Sequence, residues 1–218
     1  MSKRYENIYV KRFYYFNLYV IKGKNGDVLI DTGFICMKRR VKRWLDKFNV
    51  KLVILTHAHV DHIWNVDYIK KLYKCDVALG KFDLENIDNT KIQSKPSKKN
   101  YCLWSRFMNL GMKCFVPKKF DVDMLLRDGQ IIRRYGLCLK IVSLAGHTNG
   151  SVGVLYKDYL FAGDALVYRK KYPEIAYQNQ NNDEARKSYK KIIDIGPKYI
   201  FIGHDRKIPA SKLVQEGV

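Results

Sequence analysis

Short runs of β-branched and aromatic residues, separated by polar turns, recur along most of the chain. Runs of this length and composition predict β-strands. In the first half they cover residues 8–10, 18–22, 28–30, 52–55 and 76–79. In the second half they cover residues 130–133, 137–143, 152–156, 159–162 and 199–202, the last being the final strand that the pattern predicts. The pairs Asn25-Gly26 and Lys157-Asp158 predict hairpin turns.

Three other segments have the periodicity of amphipathic helices. They cover residues 38–48, 66–73 and 183–194. The first is strongly basic and places Val41, Trp44, Leu45 and Phe48 on one face. Two β-rich halves, each with trailing helices, predict a mixed α/β (α+β) protein. A chain of 218 residues fits one domain of this class, so we predict a single domain over residues 1–218.

Residues 81–119 interrupt this alternation. Residues 91–100 are polar and predict an exposed loop, whereas residues 101–112 are more helical and carry Trp104 and Phe107. We interpret 81–119 as an insertion, and two alternatives stay open. It is a lid whose Trp104 and Phe107 form a substrate wall, or it is an ordinary surface excursion with a small core of its own.

The formal net charge of +20 is the one extreme of the composition. A nucleic-acid partner would account for it, but the basic residues are spread along the whole chain and form no single tail or stripe. Lysine-rich surfaces also arise from compositional bias alone. We therefore predict a small-molecule substrate, whose attraction the charge would favour if it is anionic, and no specific nucleic-acid binding.

Cysteine usage and hydropathy together predict a cytoplasmic protein. Five scattered cysteines without a CxxC pair indicate reduced thiols. No window of the sequence is long and apolar enough to cross a bilayer, so no membrane partner is expected. Lys11, Arg12 and Asn17 interrupt the apolar residues near the N-terminus, which argues against a signal peptide.

All five histidines follow apolar segments. His147 and His204 each come after a glycine, and the other three lie in one hexapeptide, His57-Ala58-His59-Val60-Asp61-His62. A lone histidine is usually a hydrogen-bonded polar residue. However, neutral imidazole is a good zinc ligand and four donors fill one zinc shell. Three imidazoles and a carboxylate within one hexapeptide exceed what a single site with an open position needs, and therefore indicate two metal ions.

Two further carboxylates stand at strand ends. Asp164 follows the strand predicted over 159–162, and a carboxylate shared by two neighbouring metals is what hydrolytic two-metal centres need. Asp31 follows the strand predicted over 28–30. Its place at a strand end suits an acceptor that orients a metal-binding imidazole through the imidazole N–H.

These residues occur in the order found in the metallo-β-lactamase superfamily, which the chain resembles over nearly its whole length. The resemblance implies an αββα sandwich, in which two packed mixed β-sheets are flanked by helices and the site lies at one edge. It implies a first metal held by His57, His59 and His147. It implies a second metal held by Asp61, His62 and His204, with Asp164 bridging the two. We expect two Zn²⁺ per chain, with iron or manganese as alternatives.

The resemblance also narrows the reaction. True β-lactamases of the superfamily generally lack the bridging aspartate, so Asp164 argues against antibiotic hydrolysis. The segment Gly146-His147-Thr148-Asn149-Gly150-Ser151 resembles glyoxalase II thioesterases and lactonases, although Trp64 and Asn65 stand where the thioesterases often carry glycines. The implied reaction is hydrolysis of an ester, thioester or lactone by a metal-bridging hydroxide, with Asp61 and Asp164 as catalytic carboxylates. Tyr168, Tyr172 and Tyr177 follow soon after Asp164 and are alternative candidates for an oxyanion donor, and Tyr168 is also assigned to the substrate wall.

Three alternatives to this reaction remain at the level of sequence. A metal-dependent phosphodiesterase or small nuclease would use the same metals and would give a role to the net charge of +20. A mononuclear iron enzyme like the persulfide dioxygenases uses a related motif, because one fold supports several reactions. A non-catalytic or sensory protein could retain the fold, but the complete ligand set argues against it.

Overall fold

The computed structural model describes residues 3–87, 95–97, 116–169, 172–204 and 207–213. The strands of the first half are β1 (Lys3–Tyr5), β2 (Ile8–Phe13), β3 (Phe16–Lys22), β4 (Asp27–Ile30), β5 (Val50–Leu55), β6 (Asp76–Gly80) and β7 (Lys95–Pro96). Those of the second half are β8 (Met124–Leu126), β9 (Ile131–Arg134), β10 (Leu137–Ser143), β11 (Val152–Tyr156), β12 (Tyr159–Gly163), β13 (Leu166–Arg169), β14 (Tyr172–Ile175), β15 (Gln178–Asn179), β16 (Tyr199–Ile202) and β17 (Ile208–Pro209). The α-helices are α1 (Lys38–Leu45), α2 (Val60–Ile63), α3 (Val66–Tyr73) and α4 (Asn182–Ile195). Within these ranges, no helix has the length and apolar character to span a membrane.

Two mixed sheets form the centre of the fold. The first has the strand order β1-β2-β3-β4-β5-β6-β8, and its pairs are antiparallel as far as β4 and parallel beyond it. The second has the order β17-β16-β12-β11-β10-β9, in which β12 and β16 are parallel and the other neighbours antiparallel. Two short antiparallel pairs, β13–β14 and β7–β15, lie beside these sheets.

Apolar packing arranges the sheets and helices in four layers. Side chains of both sheets, such as Ile54 and Phe161, share the core between the sheets. Helices α1 and α3 cover the outer face of the first sheet, where Trp44 packs in one cluster with Val53. Helix α4 covers the outer face of the second sheet through residues such as Ile192. The expected αββα sandwich is therefore confirmed, and every residue of β4 is buried, as is typical of a strand covered on both faces.

Most predicted elements are confirmed, and the corrections fall at ends and in short strands. Helix α3 and strands β10, β11 and β16 have the predicted bounds. Helix α1 ends at Leu45 rather than at residue 48, because Asp46 caps it and Phe48 packs from the following turn. The strand predicted to be last is followed by β17, which pairs with β16. The sequence pattern did not predict β17, because it is only two residues long and contains Pro209. Proline is accepted there because β17 is an edge strand.

Of residues 81–119, the structure describes 81–87, 95–97 and 116–119. The exposed loop predicted over residues 91–100 is wrong at Lys95–Pro96, which forms strand β7 because its backbone pairs with β15. The segment begins with a 3₁₀ helix over Lys81–Asn86. Trp104 and Phe107 lie outside the described residues. The lid and its substrate wall therefore stay predictions, as does the assignment of the whole chain to a single domain.

Candidate metal centre

Four strands deliver the candidate ligands. His57 and His59 follow β5, His147 follows β10, Asp164 comes directly after β12, and His204 follows β16 after one glycine. The second half of the hexapeptide is helical. His59 is the N-cap of the one-turn helix α2, which carries Asp61 and His62. This turn forms because Val60 and Ile63 are fully buried and anchor it to the core.

The first group of donors consists of three imidazoles. The Nδ1 atom of His59 lies 3.0 Å from Nε2 of His57 and 2.8 Å from Nε2 of His147. The rings of His57 and His147 meet the His59 ring at interplanar angles of 81° and 90°. Perpendicular rings with converging nitrogen atoms aim their lone pairs at one point, so this group can hold one metal ion.

The environment keeps this first group neutral. Burial, and after it the neighbouring His62, hold the pKa of His57 well below its usual range. Burial and His147 lower the pKa of His59 to about 3. Burial also lowers the pKa of His147, against the opposing attraction of Asp164. Neutral imidazole is the protonation state that binds a metal, so these three side chains are prepared for a cation.

The second group combines two carboxylates with two imidazoles. The Nε2 atom of His204 lies 3.0 Å from Oδ2 of Asp164 and 3.3 Å from Oδ2 of Asp61. The Nε2 atom of His62 lies 3.5 Å from Oδ1 of Asp164 and 3.7 Å from Oδ2 of Asp61. Their potential ligand atoms all lie within 4.8 Å of one another, so this group too can hold a metal.

Charge complementarity dominates the titration of the second group. Burial favours neutral imidazole, but Asp164 and other carboxylates outweigh it and raise the pKa of His204 to about 10 and that of His62 well above its usual range. Burial likewise opposes ionisation of Asp164, yet His204 and His62 hold its pKa well below the usual range. In the same way, His62 and His204 overcome the effect of burial and lower the pKa of Asp61. The positive charge that balances the two carboxylates is thus carried by protonated imidazoles, and a bound metal cation would replace those protons.

Asp164 lies between the two groups. Besides its contacts to His62 and His204, its Oδ2 atom is 3.8 Å from Nε2 of His147 in the first group. Its side chain therefore faces donors of both groups, which is the arrangement required of a carboxylate shared by two metals.

Two buried atoms indicate that the donor set fits a metal. Among the described residues, Nε2 of His62 and Oδ1 of Asp164 are buried and have no hydrogen-bond partner, which is unusual for buried polar atoms. Imidazole nitrogen and carboxylate oxygen are zinc ligands. Gly203 keeps this space open, because a Cβ there would overlap Asp164 Oδ1 and come within 2.7 Å of His62 Cε1.

Asp31 orients one of these imidazoles. His62 donates from Nδ1 to Asp31 Oδ2 over 2.9 Å, because a carboxylate can only accept, and this leaves Nε2 as the free ligand atom. Thr56 fixes the carboxylate in turn, since its backbone N–H donates to Oδ1 over 2.8 Å and its hydroxyl to Oδ2 over 2.9 Å. Asp31 has a φ of 60°, a left-handed conformation that side chains seldom adopt. The structure thus places Asp31 where the sequence predicted an orienting acceptor.

Backbone carbonyls orient two more imidazoles. His147 donates from Nδ1 to the carbonyl of Gln178 over 2.8 Å. His204 donates from Nδ1 to the carbonyl of Tyr15 over 3.0 Å. In both rings Nε2 is then left for the metal groups. These contacts have no sequence signal, because any residue supplies a carbonyl.

Asp83 is a buried carboxylate that the sequence reasoning missed. Its Oδ2 accepts from the backbone N–H of Ala58 and the hydroxyl of Thr148, both over 2.8 Å, and its Oδ1 accepts from the N–H of Gly150 over 2.9 Å. Burial raises the pKa of Asp83, although these hydrogen bonds and one from Asn86 act against the shift. Asp83 thereby ties the His57 loop to the His147 loop. Its only sequence signal is its place shortly after β6.

Tyr168 lies on β13, and its half-buried ring packs against the apolar cluster beneath α4. That packing is a structural role. Its suggested role as an oxyanion donor or substrate wall remains a prediction.

The sequence model of the metallo-beta-lactamase superfamily matches residues 14–204. The chain belongs to this superfamily.

Similar proteins agree with this membership. The chain is 31% identical over 164 residues to an uncharacterized protein of Mycobacterium tuberculosis (strain ATCC 25618 / H37Rv). The alignment covers 70% of this chain and 69% of that protein. It is 23% identical over 154 residues to hydroxyacylglutathione hydrolase 1 of Vibrio vulnificus, and this alignment covers 68% of this chain and 47% of that protein. Its fold matches BJP-1, a subclass B3 metallo-beta-lactamase of Bradyrhizobium japonicum, with a TM-score of 0.68, 21% identity and coverage of 91% of this chain and 75% of that one.

Membership defines the general chemistry of the centre. The metallo-beta-lactamase superfamily consists of metal-dependent hydrolases, and this member carries two groups of histidine and aspartate able to hold metal ions. The groups lie side by side, share Asp164 at their boundary and are mostly buried. Asp61 and His204 are the more exposed members, so the centre opens on their side.

Proposed function

We propose that the protein is a dinuclear zinc hydrolase acting on a small ester, thioester or lactone. The observation that carries the proposal is the position of Asp164, which contacts donors of both groups. A shared carboxylate supports two metals rather than one, and therefore disfavours a mononuclear iron enzyme. Similarity to a protein named hydroxyacylglutathione hydrolase 1 supports an acyl substrate.

Each group would hold one ion. His57, His59 and His147 would bind the first, and Asp61, His62 and His204 the second, with Asp164 reaching both. Bound zinc lowers the pKa of a coordinated water to about 7 and polarises a carbonyl oxygen. The side chains supply the rest of the chemistry.

The protein's own groups position the reactants. Asp31 and the carbonyls of Gln178 and Tyr15 hold three imidazoles in the tautomer that leaves Nε2 free. Asp61 and Asp164 are ionised at neutral pH, since the neighbouring imidazoles keep the pKa of each below its usual range despite burial. Asp164 Oδ1, which has no hydrogen-bond partner among the described residues, is available to accept a hydrogen bond from an attacking water.

Metal analysis combined with a substrate panel tests the proposal. We expect about two zinc ions per chain and turnover of at least one thioester, lactone or simple ester. Asp164→Ala should lower the content of both metals and reduce turnover by at least about 100-fold, because one carboxylate serves both ions. Asp158→Ala, which removes an exposed turn carboxylate, is the matched control and should change neither property.

Three results would contradict this function. The first is protein purified without chelator that contains no metal and takes up none on addition of zinc. The second is full activity in Asp164→Ala. The third is metal-dependent cleavage of phosphodiesters without hydrolysis of any ester, thioester or lactone, which would favour the nuclease alternative.

A further inference from the structure

A basic cavity lies on the outer side of the β2–β3 hairpin, against α1. Its volume is about 450 Å³. The charged residues lining it are all cationic, namely Lys11, Arg12, Arg40, Arg43 and Lys47. None of the described residues that line it is acidic. We refer to it as the basic cavity.

The basic cavity brings five cations together without an acidic residue in its lining. Lys11, Arg40, Arg43 and Lys47 have no carboxylate within 4.0 Å in the described part of the chain, as is true of many described lysines and arginines. Like charges at helical spacing, such as Arg40 and Arg43, repel one another. A bound anion would remove this repulsion.

Tyr14 adds an aromatic surface to the basic cavity. It is the first of two residues joining β2 to β3, its side chain is 62% exposed, and its φ is 55°. Glycine and asparagine are preferred at such positions. Arg40 donates to the Tyr14 hydroxyl over 2.9 Å and lies 5.3 Å from the ring centroid. The φ of Tyr14 belongs to the turn, because Glu6, Tyr135 and Lys157 have similar values at the same position of other two-residue hairpins. Its exposed ring, held beside a cluster of cations, offers an aromatic face to a ligand.

We propose that the basic cavity binds a small phosphate-bearing ligand with an aromatic ring, of the nucleoside diphosphate class. Arg43 and Lys47 would contact the phosphates together with Arg40, and the base would stack on Tyr14. The volume lies within the range of small-molecule sites, roughly 300–1,000 Å³, which favours a nucleotide over a nucleic-acid strand.

This site is separate from the metal centre but adjoins it through the hairpin turn. Tyr14 faces the basic cavity, and the next residue, Tyr15, accepts a hydrogen bond from His204. The proposal does not depend on the reaction performed at the metal centre, and the ligand of the basic cavity need not be hydrolysed.

Isothermal titration of the metal-loaded full chain with ADP, pyrophosphate and adenosine tests the proposal. ADP should bind at one saturable site and more tightly than either fragment. Arg43→Ser/Lys47→Ser should weaken ADP binding roughly 10–100-fold, since each charge-assisted contact to phosphate is worth about tenfold. Tyr14→Ser should weaken ADP binding about tenfold and pyrophosphate binding clearly less, because pyrophosphate has no base to stack on the ring. The control Arg133→Ser/Lys140→Ser removes the same charge from exposed positions of β9 and β10 and should change affinity less than about twofold.

Several outcomes would overturn the proposal. They are the absence of saturable ADP binding, equal losses in the cavity variant and its charge control, and pyrophosphate binding as tight as that of ADP. Loss of ADP binding in Asp164→Ala, with retention in Arg43→Ser/Lys47→Ser, would assign the ligand to the metal centre. An oligonucleotide that displaces ADP and is weakened equally by both double variants would indicate a non-specific polyanion surface.

Discussion

At the scale of single residues, the acceptors behind the imidazoles differ in kind. His62 is held by a side chain, Asp31, whereas His147 and His204 are held by backbone carbonyls. Carbonyl acceptors survive any substitution that leaves the backbone in place. Asp31 is therefore the acceptor whose contribution a substitution can measure directly.

Replacing Asp31 with Asn should reduce metal affinity or activity about 10–100-fold without abolishing metal binding. The amide keeps one acceptor oxygen but presents an N–H₂ group to donors from Thr56 or His62. Zinc titration against a chelator of known affinity measures the effect. Asp27→Asn is the control, because Asp27 is a buried carboxylate at the other end of β4 that accepts from Gly23 and Asn49. Metal loss as complete as in His57→Ala would instead make Asp31 a direct ligand.

Replacing Asp83 with Asn should destabilise the protein by about 2–4 kcal/mol, because an amide group then faces buried N–H donors. The urea midpoint measures this change. The exposed Asp128, which accepts from Ser143 and Lys191, provides the control Asp128→Asn, for which we expect less than about 1 kcal/mol. Equal losses in the two variants would mean that Asp83 does not hold the two ligand loops together.

At the scale of elements, the strands that precede the candidate ligands could be predicted from the sequence, but helix α2, which follows β5, could not. Strand β5 is short and, apart from Lys51, apolar, which is typical of a strand covered on both faces. Helix α2 is a single turn, too short to show periodicity in sequence. It exists because Val60 and Ile63 are buried, and that burial depends on the finished fold. The sequence therefore predicted which residues cluster but not the backbone that carries Asp61 and His62.

The contact of α4 with the His147 loop can be tested at Gly146. This residue has a φ of 132°, and a Cβ there would overlap the backbone of Ala185 in α4. We expect Gly146→Ala to cost about 3 kcal/mol or more, from overlap and backbone strain together. Gly129, with a φ of 74° and no atom within 4 Å of an added Cβ, is the matched control, and Gly129→Ala should cost about 1–2 kcal/mol. Urea unfolding of both variants measures the difference, and equal costs would show that α4 does not constrain this loop.

At the scale of the whole molecule, each group of ligands joins the two sheets. His57 and His59 follow a strand of the first sheet, whereas His147 follows a strand of the second. In the second group, Asp61 and His62 belong to the first sheet's side, and Asp164 and His204 follow strands of the second. The order of these histidines and aspartates along the chain predicted that they would lie together. The support from Asp83, Gln178 and the 14–15 turn could not be predicted, because it depends on contacts between segments distant in sequence.

Because the ligands come from both sheets, bound metal should hold the two sheets together at this edge. A ligand that binds the folded state alone stabilises it by about 2.7 kcal/mol at 100 times its Kd and about 4.1 kcal/mol at 1,000 times. For a chain of this size each kcal/mol shifts Tm by about 2–4 °C, so removing the metal should lower Tm by roughly 5–16 °C. Differential scanning calorimetry before and after dialysis against chelator measures the shift, with elemental analysis to verify removal. Asp164→Ala, which we expect to bind metal less tightly, should show a smaller change, and re-adding zinc should restore the wild-type Tm. An unchanged Tm in protein verified to be metal-free would mean that the ligand loops are held by Asp83 and the apolar core alone, and that metal contributes nothing to joining the sheets.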